Sequence, residues 1–286
     1  MLPGPRARDA ARQAARQLQR AGVPEPEASA EVLLSELIGV RRGEIPLHRQ
    51  PLTAEQARLY AHWIERRANR EPVQRILGYA YFRNLVLRLN DGTLIPRSDT
   101  ESVVEAALGC LDARGGAGVV LDVGTGSGAI AISIAQERLN ATVHATDISA
   151  EALEAASHNA AENGASVHFY QADLFAGLEL LEGGVDLLVS NPPYIEAGTL
   201  ERLAPEVRDW DPIPALDGGR DGLIFYRCIF EGAPPLLKDS ADMVLEVGDG
   251  QGEDVLELGA DAGFVPLGLQ EDLAGTPRAA LLRWEG

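Results

Sequence analysis

Leu121-Asp122-Val123-Gly124-Thr125-Gly126-Ser127-Gly128 is the stretch on which the fold turns. The apolar run Val119 to Val123 stops at a glycine cluster, and Ile130 to Glu137 then reads as a helix. A strand turning through glycine into a helix opens a βαβ unit. Thr142 to Thr146 reads as the next strand and Ala150 to Glu162 as the next helix. Val167 to Tyr170, Val185 to Val189 and Met243 to Val247 follow as strands, with a helix near Glu253 to Ala260. Phe264 onward and Ala279 to Leu282 close the series as a hairpin. Seven strands alternating with helices predict an α/β domain with a mostly parallel sheet and helices on both faces.

Upstream the periodicity differs. Residues 7–70 read as helices: Ala11, Ala14, Ala15 and Leu18 share one helical face. Val32, Leu33, Leu34, Leu37 and Ile38 form a second, stopped by Gly39. Thr53 with Gln56 has the spacing of a capping box. Tyr79, Tyr81, Leu85, Val86, Leu87 and Leu89 around Arg83-Asn84 predict a β-hairpin. Asp99 or Thr100 is placed to cap a helix running to about Cys110. The expected organisation is a helical bundle over 1–72, a linker with the hairpin over 73–97, and the α/β domain over 98–286.

Charge follows the same division. The 286 residues carry a net charge of -18. Residues 1–70 hold 12 Arg against 8 acids, whereas 71–286 hold 13 basic against 35 acidic residues. An α/β domain this acidic repels phosphate backbones, which argues against a nucleic-acid substrate. Two distant cysteines, Cys110 and Cys228, and five scattered histidines supply neither a disulfide framework nor a metal-ligand spacing, so no metal is expected. No apolar run is long enough to span a membrane. Arg6, Arg8, Arg12, Arg16 and Arg20 precede no apolar segment, so a secretory signal is not expected, and a reducing cytoplasm is the expected location.

The glycines let a ligand approach the backbone. Their GxGxG spacing departs from the GxGxxG of pyrophosphate-binding turns. Asp147 stands 23 residues after Gly124, at the end of the second strand, where an acid accepts both hydroxyls of a ribose. The same features are open to a plainer reading, a turn that packs a helix on a sheet and an acid that caps the next helix. The fourth strand ends in Ser190-Asn191-Pro192-Pro193-Tyr194. The prolines fix φ and donate no N–H, and Asn191 is biased to an extended backbone. The Asn191 side-chain oxygen and the Pro192 carbonyl can accept the two N–H donors of a planar NH2 group, while Tyr194 offers a ring to stack on it. Two acceptors on an amide nitrogen localise its lone pair and aim it at an electrophile.

Gly124-x-Gly126-x-Gly128, Asp147 and Asn191-Pro-Pro-Tyr194 resemble the S-adenosylmethionine-dependent methyltransferases that act on exocyclic nitrogen. Within them the chain is most similar to the release factor glutamine methyltransferases (the HemK/PrmC type). The resemblance takes in Glu71 to Gly78, Leu94 to Glu101, Ala215 to Gly219, Asp221 to Leu223 and Asp272 to Gly275, so it covers essentially the whole chain. Ser98 and Asp211-Pro212 stand where the family usually has Pro and Glu-Pro.

The resemblance implies a Rossmann-like catalytic domain with S-adenosylmethionine as cofactor and no metal. It implies methylation of the glutamine N5 in the Gly-Gly-Gln loop of peptide-chain release factors by a monomeric enzyme that touches neither nucleic acid nor membrane. Carried over, Gly124, Thr125, Gly126, Ser127 and Gly128 approach the methionine part of the cofactor and Asp147 the ribose. Asp173 and Leu174 flank the adenine. Asn191, Pro192, Pro193 and Tyr194 take the substrate amide, with Asn191, Pro192 and Tyr194 catalytic and Asn191 also facing the cofactor. Arg97 and Glu101 shape the pocket mouth, or form a surface salt bridge. Three other readings remain: N5-glutamine methylation of a ribosomal protein, N6-adenine methylation of nucleic acid, and a non-catalytic cofactor-binding adaptor. The intact Asn191-Pro-Pro-Tyr194 argues against the last, because a sensor needs no amide acceptors.

Overall fold

The computed structural model describes residues 5–286, so the first four residues assigned to the helical bundle lie outside it. The chain forms two compact units: one runs to Gly78 and takes in Ala204–Trp210, and the other is Tyr79–Leu203 with Asp211–Gly286.

The first unit holds α1 (Ala7–Arg20), α2 (Pro26–Ile38), α3 (Ala54–Ala68) and α4 (Val73–Leu77). The small residues of α1 permit close packing: Ala7, Ala10, Ala11, Ala14, Ala15 and Leu18 are buried with Leu33 and Leu34 of α2 and Ile64 of α3. Gly39 ends α2 in the left-handed region (φ 67°), as its sequence position predicts. The Thr53–Gln56 box forms, with bonds of 2.9 and 3.1 Å. Tyr60 ties α3 to α2 by donating to the Ala30 carbonyl at 2.8 Å. The sequence reading missed that residues 204–210 belong to this unit. Glu206 accepts from Arg70 Nε and Nη2, both at 2.7 Å, and from the buried Arg67 at 2.9 Å.

The second unit begins with the expected hairpin, β1 (Tyr79–Phe82) and β2 (Leu85–Arg88), antiparallel with Phe82 opposite Leu85. Arg83 turns it with φ 49°, rare for a residue bearing a side chain, and is held by ion pairs to Glu105 and Glu137. Then follow α5 (Thr100–Ala113), β3 (Ala117–Val123), α6 (Ala129–Glu137), β4 (Asn140–Asp147), α7 (Ala150–Glu162), β5 (Val167–Gln171) and β6 (Val185–Ser190). After the short α8 (Pro205–Arg208) of the first unit come α9 (Ile224–Gly232), β7 (Leu237–Glu246), α10 (Gly252–Asp261), β8 (Phe264–Glu271) and β9 (Pro277–Trp284).

The sheet has seven strands in the order β5-β4-β3-β6-β7-β9-β8, parallel except for β9 and β8. Central strands such as Leu121, Val123, Leu187 and Val189 are fully covered, as a sheet with helices on both faces requires. The order reverses between β3 and β6, and a cleft opens outside the strand ends at such a reversal. In register, Val123 lies opposite Thr146 on one side and Ser190 on the other, and Ser190 lies opposite Leu245. Gly124, Asp147, Asn191 and Glu246 therefore leave four neighbouring strands at one level. The helix α9 was not legible in the sequence, because its apolar residues sit in a segment broken by Gly and Pro on both sides. Neither Asp99 nor Thr100 caps α5 with its side chain, contrary to expectation. Asp99 instead pairs with Arg278, and Thr100 is buried toward the sheet end.

Candidate active site

A cleft of about 430 Å³ lies at the carboxyl ends of β3, β4, β5 and β6, wholly within the second unit. It brings together Gly124 to Ser127, Asp147, Asp173 and Leu174 from the first three strand ends. Asn191, Pro192, Pro193 and Arg97 line it as well. Gly128, Glu101 and Tyr194, expected at the site, do not line it.

Gly124 and Gly126 have φ of 75° and 56°, and a Cβ on either would meet nothing within 4 Å. The turn thus presents bare backbone to open space. Gly128 differs: its Cβ would lie 2.7 Å from Ile132 and 3.2 Å from Ala156, so glycine there lets α6 and α7 pack closely. Asp122, at the end of β3, underpins the turn by accepting from Thr125 Oγ1 at 2.7 Å and Ala131 N at 3.2 Å. Burial pushes its carboxyl up to about 7 against the pull of those two bonds. The sequence reading passed over Asp122, although an acid inside an otherwise apolar strand was the available signal.

Asp147 accepts Gly126 N through one oxygen and Ser149 N through the other, each at 2.9 Å. Each oxygen keeps a lone pair for a hydroxyl donor. Ile148 beside it lines the cleft while 63% exposed, and Leu174, also in the lining, holds a left-handed φ of 51°. A bulky residue in that conformation is strained and is held there by its surroundings.

At the β6 end, Asn191 Nδ2 donates to Thr100 Oγ1 at 3.2 Å. Among the described residues, no donor reaches the Asn191 side-chain oxygen or the Pro192 carbonyl, which leaves both as free acceptors. Tyr194 turns away from the cleft: its ring packs with the core beneath β6 and β7, and its hydroxyl points to Glu246 Oε1 at 3.4 Å. Burial, and then the Glu246 charge, raise its pKa well above the ordinary tyrosine range. The Tyr194 backbone is clamped from two sides. Gln251 donates to its carbonyl at 3.0 Å, and Ile195 bonds to Leu216 and Gly218. A Cβ at Gly218 would stand 2.8 Å from Tyr194 Cα, and one at Gly222 would stand 2.5 Å from its carbonyl oxygen. This explains why the segment Ala215 to Gly222 is rich in glycine.

Arg97 forms a 2.6 Å ion pair with the buried Asp211 at the cleft wall. Glu101 accepts from the Arg83 backbone at 3.3 Å and belongs to the hairpin junction. Among the described residues no group of three or more His, Cys, Asp or Glu is placed to hold a metal ion, and no helix is long and apolar enough to cross a membrane.

A bare glycine turn and an acid at adjoining strand ends beside a strand-order reversal form the ligand-binding end of a doubly wound α/β sheet. The bare glycine turn, the two accepting oxygens of Asp147 and the Asn191–Pro192 acceptors lie along this one cleft. The molecule is a Rossmann-like methyltransferase. Residues 102–205 match the methyltransferase small domain family, and residues 9–78 match the PrmC N-terminal domain family. A protein of Agrobacterium fabrum described as release factor glutamine methyltransferase is 40% identical over 276 residues, 94% of each chain. One so described from Streptomyces coelicolor is 41% identical over 273 residues, 95% of each. The chain belongs to the release factor glutamine methyltransferase family. A methyltransferase structure from Pyrococcus furiosus shares the fold, with a TM-score of 0.52 at 20% identity over 70% of this chain and 89% of that one.

Proposed function

We propose that the protein transfers a methyl group from S-adenosylmethionine to the side-chain N5 of the glutamine in the Gly-Gly-Gln loop of peptide-chain release factors. The observation that carries this reading is the pair of free acceptors, the Asn191 side-chain oxygen and the Pro192 carbonyl, at the cleft end of β6. Family membership supports the substrate. The acidity of residues 71–286 supports a protein over a nucleic acid.

When bound, S-adenosylmethionine supplies an electrophilic methyl on a sulfonium sulfur. Asn191 and Pro192 accept the two amide hydrogens, which localises the nitrogen lone pair and fixes its direction. The bound cofactor would give up its methyl to that nitrogen and keep the carbon–sulfur bonding pair on sulfur, and the nitrogen would lose one proton. Gly124 to Ser127 and Asp147 hold the donor side, with Asp173 and Leu174 beside the adenine. Pro193 and Tyr194 keep the acceptor turn rigid, and Arg97 shapes the mouth. The first unit recognises the release factor, the enzyme acts as a monomer in the cytoplasm, and no metal takes part.

The test is mass spectrometry of the Gly-Gly-Gln peptide from a purified release factor incubated with the protein and S-adenosylmethionine. One added methyl on the glutamine side chain is the expected result. An unmodified peptide from a cofactor-binding preparation would overturn the substrate and redirect the search to ribosomal proteins.

A further inference from the structure

Behind Asn191 lies a buried acid that the transfer step does not touch. Glu246, the last residue of β7, is 1% exposed. Its Oε1 receives the Tyr194 hydroxyl and its Oε2 has no hydrogen-bond partner, while Thr100 is among the groups that favour its charged form and the register of β6 on β7 sets Glu246 beside Asn191. Thr100 in turn is the partner of the Asn191 amide.

We propose that Glu246 and Thr100 are positioning residues which hold the Asn191 side chain with its oxygen, rather than its NH2, toward the substrate nitrogen. The inference rests on the reading above and deepens it. Its basis is the count of donors and acceptors. An ionised carboxylate only accepts, and a threonine hydroxyl has a single proton. With Glu246 ionised, that proton goes to the carboxylate, so Thr100 Oγ1 can only accept from Asn191, whose NH2 must face it. The Asn191 oxygen then points into the cleft as an acceptor. With Glu246 protonated, the acid donates to Thr100, whose proton is released toward Asn191. The amide is then free to turn over and present N–H donors to the substrate's own N–H donors, and that arrangement repels the substrate.

The groups around Glu246 set the pH at which this changes. Burial is the largest influence and raises its pKa, and Asp99 at the start of α5 raises it further. Thr100, Tyr194 and Arg278 of β9 oppose this, and the balance leaves it pushed up to about 7. Tyr226 of α9 donates to the Glu246 backbone carbonyl at 2.8 Å and leaves the carboxyl to the others. Since the ionised form is the productive one, kcat rises with pH through about 7 and then levels.

The experiment has two arms. In the first, kcat and KM are measured against pH at saturating S-adenosylmethionine with the Gly-Gly-Gln-bearing release factor, for the wild type, Glu246→Gln, Thr100→Val and Thr100→Ser. Thr100→Val is expected to lose kcat by about 10- to 100-fold while cofactor affinity stays within about two-fold, and Thr100→Ser to recover most of that loss. Glu246→Gln is expected to lack the rise near neutrality. In the second arm, the Asn191 side-chain NH2 signals of the cofactor-bound protein are followed by 15N NMR. They are expected to titrate with the midpoint of the wild-type kcat profile and to be static in Glu246→Gln.

A wild-type kcat with no rise near neutrality, or Thr100→Val at full kcat, overturns the proposal. So do Asn191 signals indifferent to pH in the wild type, even if a variant fails to fold. A wild type that adds no methyl defeats the functional reading instead, and the NMR arm still decides whether Asn191 follows Glu246.

Discussion

Asn191 supplies a free acceptor at the cleft, and Asn191→Ala removes it while leaving the Gly-rich turn and Asp147 in place. Turnover is expected to fall by roughly 10²- to 10³-fold, the usual consequence of losing one preorganised partner of a reacting group. Cofactor affinity measured by calorimetry should stay within a few-fold. Asp147→Asn should do the reverse, weakening cofactor binding by about 10- to 100-fold through loss of a charged acceptor. At this scale the place of Asp147, Asn191 and Pro192 at the cleft was legible because Asp147 ends one apolar strand and the other two directly follow another. Thr100 and Glu246 were not. Nothing in residues 100 and 246 of the sequence says that they meet; only the register of β6 on β7 and the seat of α5 bring them to Asn191. Tyr194 was recognised as part of the motif, but its direction, away from the cleft and toward Glu246, depends on the core beneath it.

Among the elements, the segment Ala215 to Gly222 is the brace of the turn that carries Asn191 to Tyr194. Gly222→Ala would place a methyl group against the Tyr194 carbonyl in a residue with φ of 73°. Strain and overlap together should lower the melting temperature and abolish most turnover, which thermal denaturation and the peptide assay would both read. Ala at Gly124, where a Cβ meets nothing of the protein, should leave stability far less affected despite its φ of 75°. Sequence pattern located the strands of the sheet and the helix α7 because periods of 2 and 3.6 persist through them. It could not show that Asp99 and Thr100, with cap-like side chains, spend them elsewhere. A tertiary partner of opposite charge, Arg278, for Asp99 and the donating Asn191 amide for Thr100 compete with capping and win.

For the molecule as a whole, two electrostatic consequences follow. Burial pushes Glu206 toward neutrality, but its bonds to Arg70 and Arg67 prevail and hold it at about 2, below its ordinary value of 4.5. A carboxyl held low stabilises the folded form above its unfolded pKa and loses that contribution as the pH falls through its folded pKa. The first unit should therefore weaken between about pH 4.5 and about pH 2, and Glu206→Gln should flatten that part of an acid-unfolding curve followed by circular dichroism. The net charge of -18 gives the second consequence. Association with a release factor that is basic around its glutamine loop should slow as salt shortens the screening length, so kcat/KM should drop several-fold between about 0.05 M and about 0.5 M salt with kcat nearly unchanged. An indifferent kcat/KM would count against steering by charge.

What the sequence determined by itself is the class of fold and the strand ends that line the cleft. Those depend on short-range rules: apolar period, glycine freedom at a turn, and the absence of an N–H on proline. What only the tertiary structure decided is which side chains stand behind that turn. The seating of Thr100 and Glu246 against Asn191, the close pass of Gly218 and Gly222 along Tyr194, and the membership of residues 204–210 in the first unit join positions up to 146 residues apart. Such pairings arise from strand order and packing, which no local pattern encodes.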